Sequence, residues 1–278
     1  MYKLIKLEIY KVFTRSRSFI AFFAILAIIL VAMAAMLWEG EAMHNFITQN
    51  LNDAFYMQGN LINGYLMSYL ILNFLWVHVP LLVVIVTGDL FSGEAHGGTF
   101  RLLLTRPVSR WKLVTVKYIA AIVYTFFLML FFAVLSLGLG ILLFGKGDLM
   151  IIMGTVNIFP QDDVLWRFLL AYAFGFVGMI TVAGLSLLFS SMTNNSLGPI
   201  LSTMAIIILF TLISTFDFSF FKLVKPFLLT SYLDSWQLFF TFDLNKQSII
   251  KDVIVLLVHL IIFYGITIFY FRKKDILT

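Results

Sequence analysis

One stretch of the chain comes within a single residue of a phosphate-binding motif. Residues 140–147 read GILLFGKG, close to the pattern G-x-x-x-x-G-K-[ST], in which backbone and lysine cradle phosphates and the final hydroxyl holds Mg²⁺. Gly147 stands where that hydroxyl is needed, the intervening residues are apolar, and no strand precedes them. We therefore expect no nucleotide hydrolysis by this chain, and we assign it no catalytic residue.

Metal and thiol chemistry also find little support. The sequence has no cysteine, which excludes disulfides, thiolate-bound zinc, iron–sulfur clusters and thiol nucleophiles. His78 and His259 lie in long apolar runs, at depths too different for both to bind one haem. We expect each to hydrogen-bond within a helix bundle, with Pro80 kinking the helix that carries His78. We predict no metal site and no cofactor in this chain.

Composition identifies the class of protein. Of the 278 residues, 62% are hydrophobic and 12% are charged, and the mean hydropathy is +1.01, whereas soluble domains are about half apolar and about a quarter charged. The apolar runs approach the ~20 residues that a helix needs to cross a bilayer and lack the alternation of barrel strands. We predict an all-α polytopic membrane protein with six transmembrane helices, at about 19–37, 65–87, 118–144, 168–189, 197–215 and 253–271.

The distribution of positive charge predicts the orientation of these helices. With the amino terminus inside, the cytoplasmic segments hold 13 of the 19 lysines and arginines, as the positive-inside rule requires. Both termini, including the tail 272–278, are then predicted to be cytoplasmic. Residues 1–18 place apolar and basic residues at helical spacing, which predicts an amphipathic helix in the inner interface. A basic leader without fixed structure is the open alternative.

The predicted cytoplasmic loop between spans two and three, residues 88–117, carries the most information. Its glycines, Gly93, Gly97 and Gly98, predict a flexible entry, and the Thr99 hydroxyl can cap the helical turn that follows. Ser109 is a plausible N-cap for the helix that leads into span three. The loop is therefore expected to form a short helix, a break and a long helix.

The short helix in this loop is apolar and basic. Leu102 and Leu103 lie between Arg101 and Arg106, and Pro107 ends the segment. Exposure of leucine side chains to water is unfavourable, so we expect a protein partner to cover this turn. An ordinary positive-inside loop that lies on lipid headgroups is the alternative.

These residues resemble the first cytoplasmic loop of ABC-2 type permeases, the membrane subunits of type 2 ABC exporters. The family pattern is roughly E-x-x-x-G-T-x-x-x-L-L-x-x-P-x-S-R followed by a lysine. The close match covers about 25 residues, and the six-span layout matches the rest of the chain more loosely. Phe100 and Arg101 depart from the commoner form of the motif. The matching residues here are Glu94, Gly98, Thr99, Leu102 to Leu104, Pro107, Ser109, Arg110 and Lys117.

The resemblance implies a function, carried out in a bacterial cytoplasmic (inner) membrane. In the family, a separate ATPase subunit, which holds ATP and Mg²⁺, docks on a coupling helix in this loop and drives the movement of the spans. A second, smaller contact is often made by the loop between spans four and five, which here offers Thr193, Asn194 and Asn195. The residues implied in ATPase coupling are Glu94, Gly97, Gly98, Thr99, Arg101, Leu102, Leu103, Arg106, Pro107, Ser109 and Arg110.

Glu94 is the residue from which we expect the largest contribution to coupling. It is an acid in a basic loop and could pair with Arg110 or with a basic residue of the ATPase. The resemblance also implies a second permease subunit, identical or different, with the transport pathway between the two. The aromatic external segment 216–252 is then expected to form short helices around Pro226 that shape the exit, or else a membrane anchor alone.

Two other classes of function remain open at this point. A secondary carrier would generally need ionisable groups within the membrane, and the six apolar runs contain no Asp, Glu, Lys or Arg beyond their ends. A structural membrane component could keep the docking loop without transporting anything. Membrane lipid is an expected partner in every case, and nucleic acid in none.

Overall fold

The structure is a computed structural model that describes residues 1–48, 61–98, 109–153 and 155–274. The leucine-rich turn of the cytoplasmic loop, within 99–108, lies outside these ranges, as do residues 49–60 of the external loop predicted between spans one and two.

Helices account for most of the described chain. The α-helices are α1 (Tyr2–Thr14), α2 (Ser16–Thr48), α3 (Gly64–Trp76), α4 (Val79–Thr87), α5 (Asp89–His96), α6 (Arg110–Phe144), α7 (Gln161–Met192), α8 (Leu197–Thr215), α9 (Ser219–Val224), α10 (Thr230–Leu233) and α11 (Lys246–Lys273). Two 3₁₀ helices span Lys225–Phe227 and Asp234–Phe240, and two strands are β1 (Leu149–Met153) and β2 (Thr155–Phe159).

Six helical stretches in the described ranges are long and apolar enough to cross a membrane. Their number confirms the predicted all-α polytopic class. The amphipathic helix expected within 1–18 corresponds to α1, which precedes the first stretch. The six are Ser16–Gly40, Val79–His96, Arg110–Phe144, Gln161–Met192, Leu197–Thr215 and Lys246–Lys273.

The second predicted span, 65–87, is broken in the middle. Helix α3 ends at Trp76 and α4 begins at Val79, with Pro80 in its first turn. Proline has no N–H to donate and its ring obstructs the preceding turn, so the helix cannot continue through it. The kink predicted at Pro80 is therefore present as an interruption at Val77 and His78, whose backbone angles stay in the α region.

The two histidines of the apolar runs bond to backbone carbonyls. His78 Nδ1 lies 3.0 Å from the carbonyl oxygen of Phe74, and His259 Nδ1 lies 2.8 Å from that of Val255. His259 Nε2 also lies 3.1 Å from the carbonyl oxygen of Phe227. This agrees with the expectation that both residues serve the helix bundle.

Helix α7 lies at the centre of the fold. It packs against α4, α6, α8 and α11, and against the 3₁₀ helix Asp234–Phe240. Within that 3₁₀ helix, Trp236 and Phe240 are fully buried, and their rings lie 5.9 and 5.1 Å from the ring of Tyr69 on α3. The short helices predicted around Pro226 are therefore present, and the last of them is anchored in the core.

A β-hairpin between α6 and α7 was not expected from the sequence. Strands β1 and β2 pair antiparallel, and the hairpin lies beside the beginning of α3. There, the Gly64 amide donates to the carbonyl of Gly145 (2.9 Å), and the Asn63 side-chain amide donates to that of Asp148 (2.7 Å). Gly145 has φ of 72°, a left-handed conformation that favours glycine.

Candidate functional site

Four charged side chains from three helices form a closed cluster at one end of the bundle. We call Glu8 and Lys11 of α1, Glu94 of α5 and Lys117 of α6 the charge cluster. Lys11 Nζ lies 2.7 Å from Glu8 Oε1 and 2.9 Å from Glu94 Oε1. Lys117 Nζ lies 3.1 Å from Glu8 Oε2 and 2.7 Å from Glu94 Oε2. Each acid therefore contacts both bases, and the four formal charges cancel.

Three members of the charge cluster, Glu8, Glu94 and Lys117, are buried, and the side chain of Lys11 is 34% exposed. Glu94 is 3% exposed and Lys117 is 1% exposed, and Lys117 also donates to the carbonyl of Leu90 (2.7 Å). Removing one partner of a buried ion pair leaves an uncompensated charge, which typically costs about 3–5 kcal/mol. The geometry therefore fixes α1, α5 and α6 to one another.

The ionisation of the two α1 residues is tuned by this pairing. Burial alone would raise the pKa of Glu8, but Lys117 and Lys11 outweigh it and hold that pKa below its ordinary value. Burial alone would lower the pKa of Lys11, but its bonds to Glu8 and Glu94 raise it. The stabilisation by Glu8 is lost as pH falls through its lowered pKa, and that by Lys11 as pH rises through its raised pKa. Both contributions are therefore present at neutral pH.

A second, more exposed ion-pair group joins the beginnings of α2 and α5. Asp89 accepts from Arg15 Nη1 at 2.8 Å and from Arg17 Nη1 at 3.1 Å. The arginine side chains are 37% and 51% exposed, so each pair contributes at most about 1 kcal/mol. The group adds a second attachment of α5 to the amino-terminal segment.

Helix α5 is also tied to the end of α7 through one serine. Ser190 Oγ donates to the carbonyl of Gly88 (2.6 Å) and accepts from the amides of Phe91 (3.1 Å) and Ser92 (3.0 Å). These amides belong to the first turn of α5, whose donors have no partner within the helix. Ser190 therefore serves as a cap supplied by another helix.

The carboxyl-terminal end of α11 contacts the start of α6 and the loop after α7. Arg110 Nη1 donates to the carbonyls of Phe271, Arg272 and Lys274 at 3.2, 3.0 and 2.6 Å, which are acceptors left over at a helix end. Lys274 Nζ donates to the carbonyl of Ser191 (2.9 Å) and to Asn194 Oδ1 (2.9 Å). Burial lowers the pKa of Lys274. The start of α6, the end of α11 and the loop after α7 are thus joined.

The predicted coupling residues fall into three groups. Thr99, Arg101, Leu102, Leu103, Arg106 and Pro107 lie outside the described residues. Gly97 and Gly98 follow α5, and Gly98 has φ of 67°, so it ends the helix in a conformation suited to glycine. Ser109 occupies the N-cap position of α6, as predicted, but its hydroxyl makes no capping bond within the described residues. Glu94 and Arg110 are placed by the contacts above.

The sequence suggested that Glu94 could pair with Arg110, and the structure does not pair them. The partners of Glu94 are Lys11 and Lys117, and Arg110 binds the carbonyls at the end of α11. The reason is that α1 returns against α6 and brings a lysine into reach of Glu94, whereas Arg110 stands seven positions before Lys117 on α6. Glu94 therefore faces the interior.

The three residues of the predicted second contact differ in exposure. Asn194 and Asn195 are exposed and Thr193 is half-buried. Asn195 Oδ1 accepts from the amide of Leu197 (3.0 Å), which starts α8. The loop thus presents polar side chains on a short, well-supported turn.

Sequence reasoning missed both ion-pair partners of Glu94 and the part played by α1. Glu8 is the sole acid among five bases in residues 1–18, and this was the available signal. Lys117 belonged to the recognised motif, but its position gave no indication of its partner. The chemistry of the assembled site is structural, since its acids and bases neutralise one another. No group of three or more metal-ligating residues occurs in the described ranges.

Comparison with known proteins gives a family match over nearly the whole chain. The family model described as "ABC-2 family transporter protein" matches residues 2–276. A curated relative, "Uncharacterized protein YhcI" of Bacillus subtilis (strain 168), is 24% identical over 206 residues. That match spans 70% of this chain and 64% of the relative, so it covers less than two thirds of the relative's length.

Proposed function

The chain belongs to the ABC-2 family of transporter proteins, and from this premise we propose that it is the permease subunit of an ATP-driven exporter. A separate ATP-binding cassette subunit hydrolyses ATP with Mg²⁺, and this chain moves the substrate. It works with a second permease subunit, identical or different, in a bacterial cytoplasmic membrane. The loop 88–117 receives the ATPase.

The charge cluster is the observation that most strongly supports this proposal. The leucine-rich part of the loop follows α5 and precedes Ser109, the N-cap of α6. The helices on its two sides, α5 and α6, are both held by the four side chains of the charge cluster. A segment that transmits force needs a rigid attachment, because a loosely held attachment would absorb the displacement. Movement of the loop would therefore pass to α1, to α6 and, through the adjoining α4, to the spans.

The loop after α7 supports a second contact with the ATPase. Ser190 links the end of α7 to α5, and Lys274 links the exposed Asn194 to the end of α11. A push on Thr193, Asn194 or Asn195 would thus reach the central helix directly. We propose this turn as the smaller of the two docking contacts.

A secondary carrier accounts for the site less well. Proton- or ion-coupled carriers need ionisable groups that change partners during transport, whereas the buried acids and bases here hold one another in a closed arrangement. A purely structural membrane component would retain the docking loop and its ATPase but would move no substrate.

The proposal predicts co-purification of an ATPase that depends on the leucine-rich turn. Mild-detergent extraction of the tagged chain should recover an ATP-binding cassette subunit in equal number, with ATPase activity. Leu103→Asp should lower the recovered ATPase by about tenfold, because it puts a charge where an apolar anchor is expected. Intact-complex mass measurement and an ATPase assay provide the readouts.

The matched control for this test is Phe242→Asp. Phe242 is 76% exposed on the segment predicted to be external, so the same charge there should leave ATPase recovery unchanged. A chain that emerges without any ATPase, or that loses it equally in both variants, would contradict the proposed function.

A further inference from the structure

An apolar groove runs between α2 and α3. It is lined on one side by Ile28, Ala32 and Met36 and on the other by Met67, Ile71 and Leu75, and it encloses about 290 Å³. Aliphatic walls of this kind accept a hydrocarbon chain, since they offer it the same contacts as lipid without exposing it to water.

Among the described lining residues, one carboxylate, that of Glu39, lies at one end of the groove. The α2 backbone departs from helical geometry at this residue, with φ of −111° and ψ of 20°. Glu39 is exposed, and no ion pair or side-chain hydrogen bond joins it to another residue in the described part of the chain. By the positive-inside rule, this end of the groove is the outer one.

The sequence around Glu39 offers no compensating base. Between Arg17 and Arg101 the chain contains neither lysine nor arginine, while the predicted first external loop contains Glu39, Glu41 and Asp53. A carboxylate at the mouth of an apolar groove attracts a cation, and the apolar walls retain whatever hydrocarbon that cation carries. The carboxylate and the apolar walls together favour a molecule with a cationic group at one end and a hydrocarbon chain.

We propose that this groove binds an amphipathic cation, with its aliphatic chain between α2 and α3 and its ammonium or guanidinium group at Glu39. The inference deepens the proposed function, on which it rests, by naming the substrate class. A bilayer phospholipid fits less well, because its phosphate would come close to the Glu39 carboxylate.

The site is tested by binding to the full chain in phosphatidylcholine nanodiscs. The probe is radiolabelled dodecyltrimethylammonium, and dodecanol serves as the uncharged probe of equal chain length. Empty nanodiscs give the partition into lipid that is subtracted. The expected result is saturable binding of the cation, about tenfold tighter than that of dodecanol.

Two pairs of variants separate the roles of charge and shape. Glu39→Gln should weaken cation binding about tenfold and leave dodecanol unchanged, whereas Asp243→Asn, which removes an exposed acid elsewhere on the predicted outer side, should change neither. Ala35→Phe, which fills the groove, should abolish binding of both probes. Ala34→Phe adds the same volume one position along α2, outside the groove lining, and should bind as the unaltered chain does.

Several outcomes would overturn the proposal. These are equal cation binding by Glu39→Gln and the unaltered chain, equal binding by Ala35→Phe and Ala34→Phe, and no saturable binding because lipid or a second copy of the chain occupies the groove. The assay needs no ATPase, so the groove can fail while ATPase co-purification succeeds. If the groove binds the cation but no ATPase co-purifies, the proposed transport function fails and the binding site stands.

Discussion

Lys117→Met is expected to destabilise the protein by about 3–5 kcal/mol. The substitution keeps the length of the side chain but leaves the buried carboxylates of Glu8 and Glu94 with Lys11 as their only shared base in the charge cluster. Two carboxylates competing for one lysine in a buried site repel each other. Thermal unfolding of the purified chain in detergent, followed by tryptophan fluorescence, should show a large decrease in the midpoint temperature.

Two double variants distinguish a closed four-residue cluster from an ordinary pair. Lys117→Met with Glu94→Gln leaves the Glu8–Lys11 pair intact and should recover a substantial part of the lost stability. The exchange Glu94→Lys with Lys117→Glu preserves the Glu94–Lys117 pair with its signs reversed, but places like charges beside Lys11 and Glu8. We expect no recovery from the exchange. Equal recovery by both double variants, or no loss in the single variant, would refute the arrangement.

Gly140→Ala is expected to give the second large effect. A Cβ at this position would lie 2.8 Å from the carbonyl oxygen of Gly64 and 2.9 Å from Ser68 Oγ, so α3 and α6 would have to separate. Such overpacking typically costs about 1–3 kcal/mol, and close helix contacts in membranes depend on small residues for this reason. The midpoint of thermal unfolding should fall, although alanine is the better helix former.

Gly138→Ala is the control on the same helix. A Cβ at Gly138 would meet nothing within 4 Å, so only helix propensity should act, and it favours alanine by roughly 1 kcal/mol. The two substitutions are chemically identical and two residues apart, yet they should shift the unfolding midpoint in opposite directions. Shifts of the same sign would show that α3 and α6 do not approach here as described.

The overall class of the fold could be predicted because it depends on composition and local pattern. Long apolar runs indicate membrane helices wherever they pack, and the helix break beside Pro80 follows from the chemistry of one residue. The β-hairpin was not predicted because its ten strand residues lie between two apolar helices and show little alternation of apolar and polar residues. Its position depends on Asn63 and Gly64, which are more than 80 residues away from Asp148 and Gly145 in sequence.

The candidate site was predicted only in part, for a related reason. The motif drew attention to Glu94 and Lys117, but their mutual arrangement depends on α1, whose Lys11 is 83 positions from Glu94. Nothing local to the loop indicates that an acid in a basic, polar segment will be buried at 3% exposure. Glu94 was therefore expected to contact a partner protein, whereas its contacts in the structure join α5 to α1 and α6.

The proposed coupling role of Glu94 changes accordingly. In the proposed mechanism, a buried Glu94 would act on the ATPase through the position of the loop and not through direct contact. Direct contact is then expected of residues beyond Gly98, of which Leu103 is the apolar candidate.

Site-directed photo-crosslinking from residue 103 tests the central claim most directly. The natural sequence has no cysteine, so Leu103→Cys gives a single attachment point for a maleimide–benzophenone reagent, and Phe242→Cys gives the matching point on the predicted opposite side. In native membranes, the account predicts that position 103 crosslinks to an ATP-binding cassette subunit, identified by mass spectrometry, and that position 242 does not. An ATPase adduct at position 242 but not at 103, or at neither position despite complete labelling, would contradict it.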